Sequence, residues 1–429
     1  MRLRCILCFA LALILAATIL QAQDAPVAAP AWQAVPPVGG KLEEKDGTKI
    51  LYLWGSPEER GFAEGYLLGE IIFKSVDEFA LSRKVLPNPA LWDAVVRPLV
   101  AKSFVFDDEF KRWSGALHAG ISRRLEGKIA VAKLGRDLQA DDLVVCSCIP
   151  DLAGFLCSSF SAWGELTPKD AFIVGRNLDY FGTPTMTENS LVKVNAAAPG
   201  RAAWVGVGWP GIAGCLTGVS ERGVWLALHD VAPRKEQSDL SYTSRVLALE
   251  EIIETVDPAG DPEKAALAVL RARRFSMGGN GMLAWCAGLE RGAVVLEFDG
   301  ERSKSEGANA REPVKGVPFI CCSNHHRLRS EDGHDCWRYA RLAKGGEKTD
   351  RGRLDLAAGW DLIRSSSVKA TIYRCVADLA TGRLEVERRL RPGEERWSKR
   401  LSVDVDDLLA EVRRAAAPAE AVPAGAGAK

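Results

Sequence analysis

Downstream of residue 156 the sequence stops reading as helix and begins to read as strand after strand. CSSFSAWG, from Cys157, and AFIVGRNLDY, ending at Tyr180, are two β-type runs joined by a turn at Thr167 to Asp170. LVKVNA, AAWVGVG and GVWLALHDV continue as strands between Pro/Gly turns. TSRVLALEEIIETV and DPEKAALAVLRAR then read as two helices, the second capped by Asp261. GMLAWCAGL and AVVLEFDG, joined by a Glu-Arg-Gly turn, and PFICCSN return to strand. DLAAGWDLIRS is a helix and ATIYRCVADLATGRLEVERR a hairpin. Strands, then two helices, then strands again point to an α+β chain with two sheets and helices packed outside them.

Upstream the periodicity differs. KILYLWG (Lys49 to Gly55) reads as a strand, and SPEERGFAEGYLLGEII as a helix with Ser56 as cap and Pro57 in its first turn. From there to about Asp142 the chain is mainly helical, and Trp113, Leu117 and Ile121 fall four apart on one face. VVCSCI (Val144 to Ile149) fits either a buried strand or a helix end. These patterns divide the chain into a mainly helical segment at 39–156 and a core at 157–405. The remainder, 406–429, is a helix end and a tail rich in Ala, Pro and Gly from Ala415 onward.

The first 22 residues read as a signal peptide: Arg2 and Arg4 lead an apolar run, Ile6 to Leu20, that is short for a membrane anchor, and Ala22 is a cleavage position. Residues 23–38 then form an Ala/Pro-rich leader. The expectation is an exported protein, periplasmic or extracellular, with no stable membrane insertion. Lys plus Arg and Asp plus Glu number 56 each; losing Arg2 and Arg4 leaves 54 minus 56, or −2. No basic stripe exists for nucleic acid. Nine cysteines remain after residue 22, an odd number, so at least one thiol has no partner within the chain. Cys157 is the expected free one, and either Cys321 or Cys322 could bridge to Cys336.

Cys157 heads an apolar run, and GRNLDY brings Arg176, Asn177 and Asp179 back after one hairpin. A thiol nucleophile needs a base, a charge beside it and donors for an oxyanion. Arg176 and Asp179 lie three apart, so on a straight strand they face opposite sides. Cys321, Cys322, His325, His326, His334 and Cys336 crowd together, but their spacing fits no common zinc pattern, and no metal or other cofactor is expected. GWPGIAG and MGGNG lack the lysine of a phosphate loop.

The segment from Cys157 to Tyr180 resembles the start of the mature chain in cysteine N-terminal nucleophile hydrolases, in particular the penicillin acyltransferase-like group related to choloylglycine hydrolases. GSPEERGFAEGYLLGEII, GVSERGVWLALHD, SRVLALEEIIETV, NGMLAWCAGLERGAVVLEFDG and SNHHR follow that family's motifs in order, over about residues 48 to 390. The resemblance implies a four-layer α-β-β-α sandwich and a chain cut between Leu156 and Cys157. It implies Cys157 as nucleophile, Arg176 and Asp179 beside it, and Asn324 as an oxyanion donor. His229 and Asp230 stand where choloylglycine hydrolases place a second donor asparagine; His229 and His325 are retained as oxyanion or substrate contacts. Leu156 stands where the penicillin acyltransferases have glycine, and Ser220 replaces an asparagine of the turn.

The implied activity is cleavage of a linear amide of a small-molecule or peptide-like substrate through an acyl-cysteine, with hydrolysis or acyl transfer following. An ester-cleaving, phospholipase-B-like enzyme on the same fold is one rival reading, and an exported binding protein without catalysis another. Acyl group, leaving amine and oligomeric state are not legible in the sequence.

Overall fold

The computed structural model describes residues 35, 37–152, 154–232, 241–288, 290–299, 307–329 and 335–417. The segment read as a signal peptide, nearly all of the leader, His334 and the tail beyond residue 417 lie outside these.

The chain opens with a hairpin, β1 (Gly40–Lys45) and β2 (Thr48–Leu53), followed by α1 (Pro57–Ser75). Ser56 and Glu59 close a reciprocal capping box at the start of α1, so the helix begins where its first free N–H groups can be met. A π-turn (Val76–Ala80), a second one (Trp92–Val96) and α2 (Arg97–Ser103) lead to α3 (Asp108–Arg124). Gly61, Gly65 and Gly69 of α1 lie on the α3 backbone; a Cβ on Gly65 would come 2.1 Å from the Leu117 carbonyl oxygen. The glycine stripe thus sets how closely the two helices pack. After the ribbon β3 (Ala130–Val131) and β4 (Arg136–Asp137), VVCSCI resolves as helix: α4 (Ala140–Ser147) and α5 (Ile149–Leu152).

The core begins with the predicted hairpin, β5 (Leu156–Ala162) and β6 (Ile173–Asp179). After α6 (Pro184–Glu188) come β7 (Leu191–Asn195), β8 (Trp204–Gly208), β9 (Thr217–Ser220) and β10 (Val224–Val231). Helices α7 (Arg245–Thr255) and α8 (Pro262–Arg271) follow, with Asp261 capping α8 as expected. Then come β11 (Gly278–Ala287), β12 (Glu290–Phe298), β13 (Ala308–Arg311) and β14 (Phe319–Cys322). Glu290, Arg291 and Gly292 belong to β12, so the hairpin turns earlier than the sequence suggested, at Gly288 with φ +60°. The chain ends through α9 (Trp337–Lys348), α10 (Leu356–Ser365), β15 (Thr371–Asp378), β16 (Arg383–Arg388), β17 (Leu401–Asp404) and α11 (Val405–Ala416). Ala415 and Ala416 therefore still belong to a helix.

Nine strands form one sheet in the order β1-β2-β7-β8-β9-β10-β11-β12-β13, and six form a second in the order β14-β5-β6-β15-β16-β17. Every pairing is antiparallel except β2 with β7. Through that pairing the segment before Leu156 adds two strands to the larger sheet, and is not only a helical wrapping. The sheets face each other, β10 and β11 against β5. Helices α7 and α8 cover the outside of the larger sheet and α9 and α10 that of the smaller. The order across the core is helix, sheet, sheet, helix. Gly175 is required within it, because the Phe160 ring on the neighbouring strand would lie 2.4 Å from any Cβ there.

Among the described residues no helix is long and apolar enough to cross a membrane. All nine described cysteines are free thiols. Cys321 and Cys322 do face opposite sides of β14, in separate apolar clusters, and neither is bridged to Cys336.

Candidate active site

Cys157 is the second residue of β5 and fully buried between the sheets. Pairing of β5 with β6 sets Cys157 opposite Leu178 and Ser159 opposite Arg176. The Arg176 side chain enters the space between the sheets. Its Nη2 donates to the Cys157 Sγ at 3.3 Å and to the Leu228 carbonyl at 2.5 Å. Its Nη1 donates to the Leu216 carbonyl, to Thr217 and to the Tyr373 hydroxyl. The charge is thereby fixed beside the sulfur. Burial still pushes the thiol up to about 11, against the pull of Arg176.

Asp179, at the end of β6, accepts from the Thr371 hydroxyl at 2.6 Å and from Arg338 Nη1 at 3.2 Å. Its neighbour Asn177 turns the opposite way from Arg176, toward α10, where it bonds the Ile363 carbonyl and Ser366. Burial raises the Asp179 carboxyl to about 6, with Thr371 and Arg338 opposing.

The residues around Leu156–Cys157 are held by side chains on both sides. The Phe155 N–H donates to the Asp230 carboxylate, and the Phe155 carbonyl accepts from Asn324 Nδ2 at 2.8 Å. The Cys157 N–H donates to Asn324 Oδ1 at 2.6 Å, and the Cys157 carbonyl accepts from Arg338 Nη1 at 2.6 Å. Arg338 Nη2 also donates to Asn324 Oδ1, at 3.0 Å. One guanidinium so ties together Cys157, Asp179 and Asn324. The second amide hydrogen of Asn324 goes to the Asp230 carbonyl at 2.8 Å. Both its hydrogens are spent in the uncut chain, and none is left for an oxyanion. Asp230 is itself paired with Arg245 at 2.9 Å, and burial raises its carboxyl to about 6.

The structure thus brings Leu156, Cys157, Arg176, Asp179 and Asn324 together. The histidines go elsewhere. His229 is enclosed, its Nε2 at 2.6 Å from the Ser159 hydroxyl and its Nδ1 at 3.2 Å from the Asn280 carbonyl. Burial, then the charge of Arg176, holds its imidazole well below the usual range, so it is neutral at physiological pH. His325 meets Ser323 at 3.1 Å and the Cys336 thiol. His326 meets the Gly279 carbonyl at 3.1 Å. Cys322 lies by His229, at 3.6 Å. The Cys/His crowd of the sequence is therefore dispersed over different partners, and among the described residues no cluster of three or more His, Cys, Asp or Glu side chains is placed to hold a metal.

Arg338 was not singled out by the sequence reading. Its one signal is position: it lies four residues before the buried Leu342, on the same face of α9, and an arginine on an apolar stripe needs a partner. The Asp230 carboxylate at the Phe155 N–H carries no local signal.

No family model matches the chain, and no curated protein matches it. Among solved structures it is similar to an N-acylethanolamine-hydrolyzing acid amidase ortholog from Caenorhabditis elegans, at 16% identity and a TM-score of 0.39, over 52% of this chain and 93% of that one. It is similar to a conjugated bile acid hydrolase from Clostridium perfringens at 10% identity and a TM-score of 0.39, over 58% and 94%. A penicillin V acylase from Agrobacterium tumefaciens gives 13% identity and a TM-score of 0.37, over 59% and 89%.

Proposed function

We propose that the chain is a self-processing cysteine amidase in which Cys157 becomes the N-terminal nucleophile. One observation carries this: the two residues flanking Leu156 are each pinned at N–H and C=O, while Arg176 donates to the Cys157 thiol at 3.3 Å. β14 pairs with β5 only as far as Ser159, so the Cys157 N–H and C=O are met by the Asn324 amide and the Arg338 guanidinium, polar groups that remain beside the nitrogen once it is an amine.

In processing, Cys157 Sγ attacks the Leu156 carbonyl carbon. The C–N bond breaks, the nitrogen leaves as the Cys157 amine carrying the thiol's proton, and a thioester joins Leu156 to sulfur. Water opens it, giving a Leu156 carboxylate and a free thiol. Before the cut the Cys157 nitrogen is an amide whose lone pair is delocalised, so it is no base. After the cut it is an α-amine of ordinary pKa about 7.7–8.0 and takes the thiol proton. The thiolate attacks a substrate amide, the leaving amine takes the proton back, and water hydrolyses the acyl-cysteine. Arg176 holds charge at the sulfur. Asn324 Oδ1 and the Arg338–Asp179 pair orient the amine, and Asn324 Nδ2 aligns the acyl side. Given its committed hydrogens, we assign Asn324 to alignment in place of the oxyanion contact the resemblance implies. Export belongs to the same proposal; full-length protein with Met1 retained in the cytoplasm would exclude it.

Intact mass and N-terminal sequencing of active protein test the core of the reading. The expected result is two associated chains, the second beginning at Cys157. Cys157→Ala should fold, stay one chain and show no amidase activity. Full activity from a chain still joined across Leu156–Cys157 would sink the mechanism.

A further inference from the structure

The acyl group remains to be identified, and the uncut chain holds its own example of one. Phe155 and Leu156 stand on the acyl side of the bond that is cut. The Phe155 ring is buried, its centroid 4.1 Å from that of Tyr180 and 5.7 Å from that of Trp209. It forms part of the wall of an apolar cavity lined also by Ile72, Val76, Phe79, Leu143 and Met186. These residues come from α1, the π-turn after it, α4 and α6, so the cavity is built by both sides of the cut. The Phe155 main chain is recognised as well, its N–H by the Asp230 carboxylate and its C=O by Asn324 Nδ2. Leu156 differs: its residue is 48% exposed.

We infer that the processed enzyme takes peptide-like acyl donors with an aromatic or large aliphatic residue second before the cleaved amide and little selection at the residue adjoining it. The inference rests on the reading of Cys157 as an N-terminal nucleophile. Once Leu156 ends a chain, the Phe155–Leu156 end is a product, and a substrate replaces it in the same contacts. A group in the place of the Phe155 ring moves apolar surface out of water. A residue in the place of its backbone gives Asp230 an N–H and Asn324 a carbonyl, two buried groups that are costly to leave unmet. A plain acyl chain fills the cavity but supplies neither. The adjoining side chain sits half in solvent and changes little on binding.

The test uses processed wild-type enzyme and five p-nitroanilides: acetyl-Phe-Leu, acetyl-Asp-Leu, acetyl-Gly-Leu, acetyl-Phe-Ser and hexanoyl. Acetyl-Phe-Leu should exceed acetyl-Asp-Leu and the hexanoyl anilide in kcat/KM by about tenfold or more, with acetyl-Phe-Ser within about threefold of it. Acetyl-Phe-Leu as the free acid should slow alkylation of Cys157, and acetyl-Asp-Leu should not. Met186→Trp, which narrows the cavity, should lower kcat/KM for acetyl-Phe-Leu more than for acetyl-Gly-Leu p-nitroanilide. Equal turnover of the Phe and Asp peptides, fastest turnover of the hexanoyl anilide, or no peptide turnover by enzyme whose Cys157 is N-terminal and alkylates rapidly overturns the substrate class alone. An unprocessed chain, or activity that persists in Cys157→Ala, overturns the nucleophile and the substrate class with it.

Discussion

Two thiols lie near the Asn324 loop, and they differ in kind. Cys157 is sealed between the sheets, and burial holds its thiol up at about 11 even with Arg176 alongside. Cys336 is half-buried at the start of α9, where Ser323 donates to its sulfur at 3.4 Å. Burial pushes that thiol up too, but His325, Ser323, the Tyr339 N–H and the Arg338 charge outweigh it and bring it to about 6. Cys336 has the more acidic thiol, while the pinned peptide bond belongs to Cys157. Thiol acidity and the geometry for bond cleavage are therefore separate properties, and in the proposed mechanism the nucleophile acquires its base only when a bond is broken.

The largest expected effect tests that contrast directly. In the uncut chain at pH 7, a small alkylating reagent should label Cys336 ahead of Cys157 by on the order of a thousandfold, as read by peptide mass mapping. After processing the order should narrow sharply or reverse. Labelling of Cys157 first in the uncut chain would break the comparison.

Asn324→Ala should cut turnover on the order of a hundredfold, because the acyl side and the amine lose their common alignment. Alkylation of Cys157 in processed enzyme should fall less than turnover, since the amine loses one of its supports while Arg176 still holds charge at the sulfur. Equal losses in both would mark a structural effect.

The pH dependence of processing should show a break. Less thiolate forms as pH falls, and below about 6 both Asp179 and Asp230 also take protons, which loosens Arg338 and the Phe155 N–H. The logarithm of the self-cleavage rate should therefore fall more steeply below about pH 6 than above it. Stability carries the opposite sign for these two carboxyls. Their folded values are raised, so their contribution is fully present below the ordinary carboxyl range and lost as pH rises through about 6. A chain that stays folded at pH 5 but stops cutting would sharpen the assignment; an unbroken slope would remove the carboxyls from it.

The smallest effect concerns Leu156→Gly. The side chain is half in solvent, so processing should proceed at least as fast, within about threefold. A large fall, measured as the half-time of chain cleavage, would show that Leu156 is gripped after all.

Much of the fold was legible because its signals are local. Ser56 with Glu59 caps α1, and Asp261 and Asp355 cap α8 and α10, each within three residues of the groups they satisfy. The strand runs alternate or stay apolar over their own length, and the two strands of the site's central hairpin follow one another in sequence, although residues 163–172 join them where the sequence suggested a turn at 167–170 alone. The pairing of β2 with β7 was not legible, because a strand's composition does not name its neighbour across the sheet.

The candidate site divides in the same way. Sequence alone placed Cys157 at the start of a strand and Arg176 on the strand that returns after it, and the resemblance implied that the two side chains meet. Only tertiary structure decided what holds the bond to be cut. Asn324 reaches Cys157 across 167 residues, Arg338 across 181, and Asp230 reaches Phe155 across 75. Periodicity tells which face of its own element a residue takes. Which element comes to lie against that face is set by sheet order and by the packing of α9 on β14 and β5, and no stretch of chain carries that information by itself.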